Sequence, residues 1–282
     1  MKKKKKTVRK TKKKNMPTLS RSAKIIIAAA AVFMFACTFS MFYVVLGSYD
    51  GLGLPRFVKE HDYQMSSISK HKGRLSYEDE NYETVAGIDV SYYQKEIDWK
   101  KVKKDGFDFA MIRLGYRGYE HGNLELDSRF KENLSGAKKA DIHVGVYFFS
   151  QAVTVEEAVE EAKYVIRHIR GRGVTYPVVF DMEPISGAHR IDDLTVLDKT
   201  EIADAFCQII ERNGYTPMIY GNPTWLSENL DLRYLTRYDI WLAHYTDETD
   251  YPGEFKFWQY TDSGKVKGIK GKVDLNLMFR KK

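Results

Sequence analysis

Eight short apolar segments, rich in β-branched and aromatic residues, recur from residue 85 to the end of this 282-residue chain. Val85–Val90, Phe107–Leu114, His143–Phe149, Tyr176–Asp181 and Pro217–Tyr220 are each followed by a helical pattern or helical turn. Ile240–His244, Phe255–Tyr260 and Val273–Leu277 are separated by loops or short turns. The helical stretches carry their own punctuation. Asp98 can cap a short helix, a second helix covers about Asp127 to Ala140, and Thr154 with Glu157 forms a capping box. Behind that box, Val155, Ala158, Val159, Ala162, Ile166 and Ile169 share one helical face. Asp198 and Glu201 stand at capping positions of a helix that stops at Asn213-Gly214. Strands alternating with helices predict a parallel α/β sheet, and eight of them predict a barrel. The expected fold is α/β: an irregular TIM-like barrel of five β/α units plus three further strands.

Such barrels work at the carboxyl ends of their strands. The fourth segment runs Tyr176-Pro-Val-Val-Phe-Asp-Met-Glu-Pro184. Residues i and i+2 of a strand face the same way, about 6.6–7 Å apart, so Asp181 and Glu183 leave its end together. Two carboxylates so close repel, and an apolar setting raises the pKa of the more buried one. One protonated and one ionised acid is the pair that glycosidic-bond cleavage requires. D-x-E alone is a weak signal, because acids are common where a strand meets a loop. The other strand ends strengthen it. They supply Asp89, Tyr147, Tyr220, then Trp241, His244 and Tyr245, then Trp258, Gln259 and Tyr260, and finally Asp274 and Asn276. Aromatic faces stack on sugar rings while carboxylates and amides bind hydroxyls, so four acids and several aromatics on one rim suit a glycan. Any single aromatic among them can equally be core packing, and His244 reads most simply as a satisfied structural histidine.

The formal charge of +7 is misleading. Residues 1–24 hold twelve Lys/Arg and no acid, which leaves 33 basic against 38 acidic residues in 25–282. The body is therefore acidic, with no footprint for nucleic acid. Ile25 to Leu46 is a 22-residue run without a charge, long enough to cross a bilayer as a helix. Lysines on its amino side assign that end to the cytoplasm. The run exceeds a usual signal-peptide core and no A-x-A site follows; its continuation past Met34-Phe-Ala-Cys37 argues against a lipoprotein box. The expected organisation is a basic cytoplasmic tail (1–24), a transmembrane signal anchor (25–46), a stalk or strap (47–84) and a barrel (85–282). The barrel would lie outside the cytoplasm, on the periplasmic or cell-wall side. Cys37 and Cys207 cannot pair, and the seven histidines show no metal-site spacing. No metal or cofactor is expected.

Several of these residues fall into a known order. Gly87-Ile-Asp-Val-Ser91 with Gln94 and Ile97-Asp-Trp99, then Gly145-Val-Tyr147, then Val179-Phe-Asp-Met-Glu183 open the series. Trp241-Leu-Ala-His-Tyr245, Trp258-Gln-Tyr260 and Val273-Asp-Leu-Asn276 close it. Over about residues 85–280 the chain resembles glycoside hydrolase family 25, the lysozymes of the Chalaropsis type. The resemblance implies an N-acetylmuramidase that cuts the β-1,4 bond between N-acetylmuramic acid and N-acetylglucosamine in peptidoglycan. It implies Glu183 as general acid and an ionised Asp181 that orients the 2-acetamido group in a substrate-assisted, retaining route. Asp89 and Asp274 would tune charge or hold substrate. Tyr147, Tyr220, Trp241, Tyr245, Trp258, Gln259 and Asn276 would bind the glycan. An inverting route with Asp89 as base stays open, because sequence gives no carboxylate separation.

Two positions depart from the family pattern: Lys95 stands where glycine is usual, and Phe148 where histidine often follows the tyrosine. Both stand to alter substrate fit. A reading of another class is a non-hydrolytic peptidoglycan-binding module that tethers membrane to wall, although a binder has no use for a buried, repelling acid pair. A chitinase-like enzyme needs D-x-x-D-x-D-x-E, and Val179 stands four residues before Glu183. The expected partners are peptidoglycan glycan strands and the bilayer, with the chain acting as a monomer and binding no nucleic acid.

Overall fold

The computed structural model describes residues 56–185, 187 and 190–282. The basic tail and the apolar 25–46 run lie outside the described residues, among which no helix is long and apolar enough to cross a membrane. The strands, in chain order, are β1 (Ile68–His71), β2 (Arg74–Tyr77), β3 (Tyr82–Val90), β4 (Phe109–Arg117), β5 (Leu124–Leu126) and β6 (His143–Phe149). They continue as β7 (Val178–Asp181), β8 (Pro217–Gly221), β9 (Asp239–Ala243), β10 (Phe257–Gly264) and β11 (Val273–Lys281). Helices α1 (Trp99–Lys104), α2 (Phe130–Lys139), α3 (Val155–Ile169), α4 (Val196–Arg212) and α5 (Pro223–Glu228) follow the first five barrel strands.

Eight strands close the barrel in the order β3-β4-β6-β7-β8-β9-β10-β11, with β11 returning to β3. Neighbours are parallel from β3 through β10. The last strand is different: β11 runs antiparallel to both β10 and β3. Only residues 265–272 join β10 to β11, too few for the crossover that a parallel pair needs. Asp274 and Asn276 therefore sit at the start of their strand and not at its carboxyl end. The reversal is what brings them to the same rim, with Asp274 directly opposite Asp89. The helix expected to start at Asp198 begins at Val196. Thr195 is its cap, accepting the Asp198 N–H at 3.2 Å while the Asp198 carboxylate accepts the Thr195 N–H at 2.9 Å.

Alternation along each strand separates two cores. Phe109, Met111, Val179, Met218, Trp241 and Phe257 fill the inside of the barrel. Ile88, Ile112, Val146, Phe180 and Trp258 face outward and pack with the surrounding apolar layer. A Cβ on Gly87 would lie 2.2 Å from the Phe109 ring, so the glycine that opens the first motif is a space requirement of the interior.

The stretch expected as a stalk or strap is, in its described part, a strap. It crosses the amino-terminal face of the barrel, with the Arg56 N–H donating to the Arg233 carbonyl at 2.7 Å. The Tyr63 hydroxyl donates to the Phe255 carbonyl at 2.7 Å, and its ring stacks on Phe279 with centroids 4.1 Å apart. The β1–β2 hairpin then buries Leu75 and Tyr77. The folded body thus starts well before Thr84; a few aromatic anchors do this without the long periodicity that would have announced it. Tyr63→Ala is expected to cost about 2–4 kcal/mol, below a fully buried aromatic because Tyr63 is part-exposed. Urea unfolding followed by tryptophan fluorescence measures it, and a change under 0.5 kcal/mol would show the strap to be a passive tether.

Candidate active site

Asp89, near the end of β3, is almost fully buried. Its Oδ2 accepts from Gln259 Nε2 and from Asn276 Nδ2, both at 2.8 Å. The indole N–H of Trp241 donates to Asn276 Oδ1 at 2.8 Å. An indole nitrogen can only donate, so it turns the Asn276 amide to present its NH₂ to Asp89. Gln259 is oriented in the same way: its Oε1 accepts from the hydroxyls of Tyr220 at 2.9 Å and Tyr245 at 3.1 Å. Asp274 also hydrogen-bonds to Asp89. Burial and the Asp89 charge push the Asp274 carboxyl far up, so it carries the proton and donates it to Asp89.

Asp181 ends β7 and Glu183 follows two residues later, both on the same cleft. Burial and then the Asp89 charge raise Glu183 to about 7. Burial and the Glu183 charge also push Asp181 well up, and Asp89 adds to this, while Arg113 pulls it down. The expectation of an Asp181 ionised on its own therefore meets opposition: the four acids cannot all release their protons together. Asp181 Oδ1 is buried and has no hydrogen-bond partner among the described residues. Tyr147 and Tyr220 keep their phenolic protons, since burial raises both.

A cleft of about 750 Å³ runs over these groups, lined by Asp89, Tyr147, Asp181, Glu183, Tyr220, Trp241, Tyr245, Gln259 and Asp274. A second, of about 810 Å³, shares Glu183, Tyr220 and Tyr245 with it and extends past Trp225 and Lys199. Glu183 thus stands where the two halves of one groove meet.

Two residues expected to bind substrate do not reach this groove. Trp258 is fully buried, its Nε1 donating to the His244 carbonyl at 2.9 Å. It alternates with Phe257 and Gln259, which point inward, so the strand period turns it to the outer layer. Asn276 is also buried and acts through Asp89 and Trp241. His244 lines the second cleft and pairs through Nδ1 with Thr249 Oγ1 at 2.8 Å, and Tyr260 packs under the strap, its hydroxyl on the Leu75 N–H. Of the two family departures, Phe148 faces the helix layer, near Tyr164, and touches no part of the groove. Lys95 has φ +57°, where glycine is favoured, at the end of the turn that carries Tyr92 and Tyr93.

Sequence reasoning missed that turn and the residue behind it. Tyr92, Tyr93 and Arg113 line the first cleft. The Arg113 guanidinium lies over Tyr92 at 5.0 Å and over Tyr93 and Tyr116 at 5.5 Å. Asp127 holds its Nε at 2.9 Å. A charged residue inside the apolar run Phe109-Ala-Met-Ile-Arg-Leu114 was the signal available for it.

The sequence profile of Glycosyl hydrolases family 25 matches residues 88–269. Lysozyme M1 of Streptomyces globisporus is 30% identical over 203 residues, covering 68% of this chain and 67% of that protein. The solved bacterial lysozyme of Streptomyces coelicolor superimposes with a TM-score of 0.55 at 28% identity, over 69% of this chain and 91% of that one. The modular autolysin LytC of Streptococcus pneumoniae, solved with a synthetic peptidoglycan ligand, gives a TM-score of 0.62 at 24% identity. That alignment covers 76% of this chain and about half, 52%, of the autolysin.

The raised Glu183 has a cost in stability. Its folded-state pKa lies above the unfolded one, so stability is lost as pH rises through about 7. Glu183→Gln removes that loss and is expected to gain about 1–3 kcal/mol over the parent at pH 8, with no gain at about pH 4. Urea unfolding at the two pH values checks the sign.

Proposed function

Because this chain belongs to glycosyl hydrolase family 25, we propose that it is a peptidoglycan hydrolase, a muramidase that cleaves the β-1,4 bond between N-acetylmuramic acid and N-acetylglucosamine. The observation that carries the reading is Glu183: a carboxyl that holds its proton near neutrality, at the junction of two half-clefts, beside a second buried acid. A protonated acid at that point can deliver its proton to the oxygen between two sugars lying in the two halves.

The state of Asp181 supports retention by substrate assistance. Its buried Oδ1 is an acceptor without a donor, and an unsatisfied buried acceptor is costly. The N–H of a 2-acetamido group would supply the donor, and a hydrogen bond to the charged form favours ionisation. Substrate thus helps Asp181 to release the proton that burial and the Glu183 charge tend to keep on it. The acetamido oxygen then attacks the anomeric carbon as the Glu183 proton passes to the leaving oxygen, giving an oxazolinium ion. Glu183, now ionised, takes a proton from the incoming water, whose oxygen opens the ring with net retention. Burial raises the Asp89 carboxyl and hydrogen bonds from Asn276, Gln259 and Asp274 draw it back down; held by all three, it serves as electrostatic support for the reacting sugar and not as the base of an inverting route. Tyr147 donates to the glycan, while Tyr220 and Tyr245, whose hydroxyl hydrogens go to Gln259, accept from its hydroxyls.

Glu183→Gln is expected to abolish lysis of purified peptidoglycan while glycan binding persists, and Asp181→Asn to lower turnover at least about 10²-fold. In the parent, kcat/KM should fall above about pH 7 as Glu183 loses its proton. Mass spectrometry of the released fragments should find muramic acid at the new reducing ends; N-acetylglucosamine there would assign the opposite bond. Full activity in Glu183→Gln would remove this residue from the role.

The proposal includes an uncleaved anchor at 25–46, with the barrel outside the cytoplasm. Its support is the charge-free length of that run behind twelve basic residues. In fractionated cells the native protein should sediment with membranes and be digested by protease added to spheroplasts. Recovery of most of it from the culture medium would refute the anchor.

A further inference from the structure

The second cleft contains a cation that the mechanism does not use. Lys199 lies in the first turn of α4 and is nearly buried. Its Nζ donates to the side-chain carbonyl of Asn229 at 2.8 Å and lies 5.1 Å from the centre of the Trp225 ring. Three features of the position disfavour a charge there. Burial lowers the Lys199 pKa. The amino end of a helix carries partial positive charge and repels a cation. Among the described residues no carboxylate stands within ion-pair distance, and only one of the three N–H donors of the ammonium meets a hydrogen-bond acceptor. The acid whose charge it feels most, Asp192, is exposed to solvent on the same cleft. An ammonium so placed is expensive unless an anion arrives.

The cleft that holds it also holds Glu183. This inference rests on the muramidase reading and deepens it. N-acetylglucosamine units bring no charge into the groove, whereas each muramic acid brings a lactyl group. That group is a free carboxylate on a peptide-stripped strand, or the attachment point of a stem peptide with carboxylates of its own. We propose that Lys199 is a carboxylate-binding residue of the groove, which selects glycan strands whose muramic acid units carry acidic groups. Trp225 shapes the site: its ring face holds the ammonium in place before substrate arrives. Asn229 fixes one donor, and the other two are available to a carboxylate.

The test is binding, in the full-length Glu183→Gln protein, of three tetrasaccharide probes measured by titration calorimetry. One is the neutral N-acetylglucosamine tetramer. The second alternates N-acetylglucosamine with muramic acid bearing free lactyl carboxylates, and the third carries stem peptides. At about 50 mM salt the acidic probes should bind about tenfold more tightly than the neutral one, and the preference should shrink at about 0.5 M salt. Adding Lys199→Met should reduce that preference to near unity, while Lys199→Arg keeps most of it. Loss confined to the second probe assigns the lactyl carboxylate, and loss confined to the third assigns the stem peptide. A melting temperature at or above the parent's would show that Lys199→Met is folded, and Lys199→Gln serves the same comparison if Lys199→Met does not fold. A preference untouched by removing the charge, or no preference in the parent, overturns the proposal and leaves the muramidase reading standing. Failure of all three probes to bind the parent overturns both.

Discussion

The buried carboxylate of Asp89 is the group around which the rim is arranged. A charge almost removed from water survives only with compensation, and here the compensation comes from β10 and β11 as the amides of Gln259 and Asn276. Those amides are themselves aligned by Trp241 from β9, Tyr220 from β8 and Tyr245 just beyond β9. Five residues from the last four strands and their rim thus converge on one oxygen of the first barrel strand. Closing the barrel and assembling the site are the same event. This explains why β11 must turn back on β10: only an antiparallel return sets Asp274 opposite Asp89 and Asn276 within reach of it.

Much of this was legible in the sequence. The eight strands and the five-plus-three division were readable because buried strands must be apolar and β-branched, and helices must present one apolar face. The four acids were readable because polar residues at the end of an apolar run have few structural uses. The readings failed where a rule of local pattern meets a rule of topology. Direction of β11 is invisible in Val273–Leu277; it follows from the shortness of the preceding loop. Trp258 and Gln259 are adjacent and equally plausible as ligands, yet the strand period sends one inward and the other out. Arg113 was hidden because a strand interior gives no hint that a turn 20 residues earlier will lay Tyr92 and Tyr93 over it. The strap was hidden for a related reason: Tyr63 finds Phe255 and Phe279 across more than 190 positions of sequence.

The surroundings also divide labour among acids that look alike in sequence. Asp274 has a neighbour that needs its proton and keeps it. Glu183 is less constrained, and its proton is held by burial and by the field of Asp89, which is the state a general acid must occupy before reaction. Asp181 is pulled both ways, up by burial and by its acidic neighbours and down by Arg113. A group balanced in this manner responds strongly to one added hydrogen bond, and in the proposed mechanism the substrate provides that bond.

The balance bears on how such a site can admit its substrate at all. Peptidoglycan strands carry acidic groups, and four ionised carboxylates around one groove would repel them. Holding protons on Asp274 and Glu183 removes part of that charge at the centre. Cations stand to either side, among them Arg113 over the tyrosine turn in one half of the groove and Lys199 against Trp225 in the other. Fewer negative charges then face the strand at the centre, and each half of the groove offers it a cation. The elevated acids that weaken the fold near neutral pH are, on this account, also what lets the strand lie down across them.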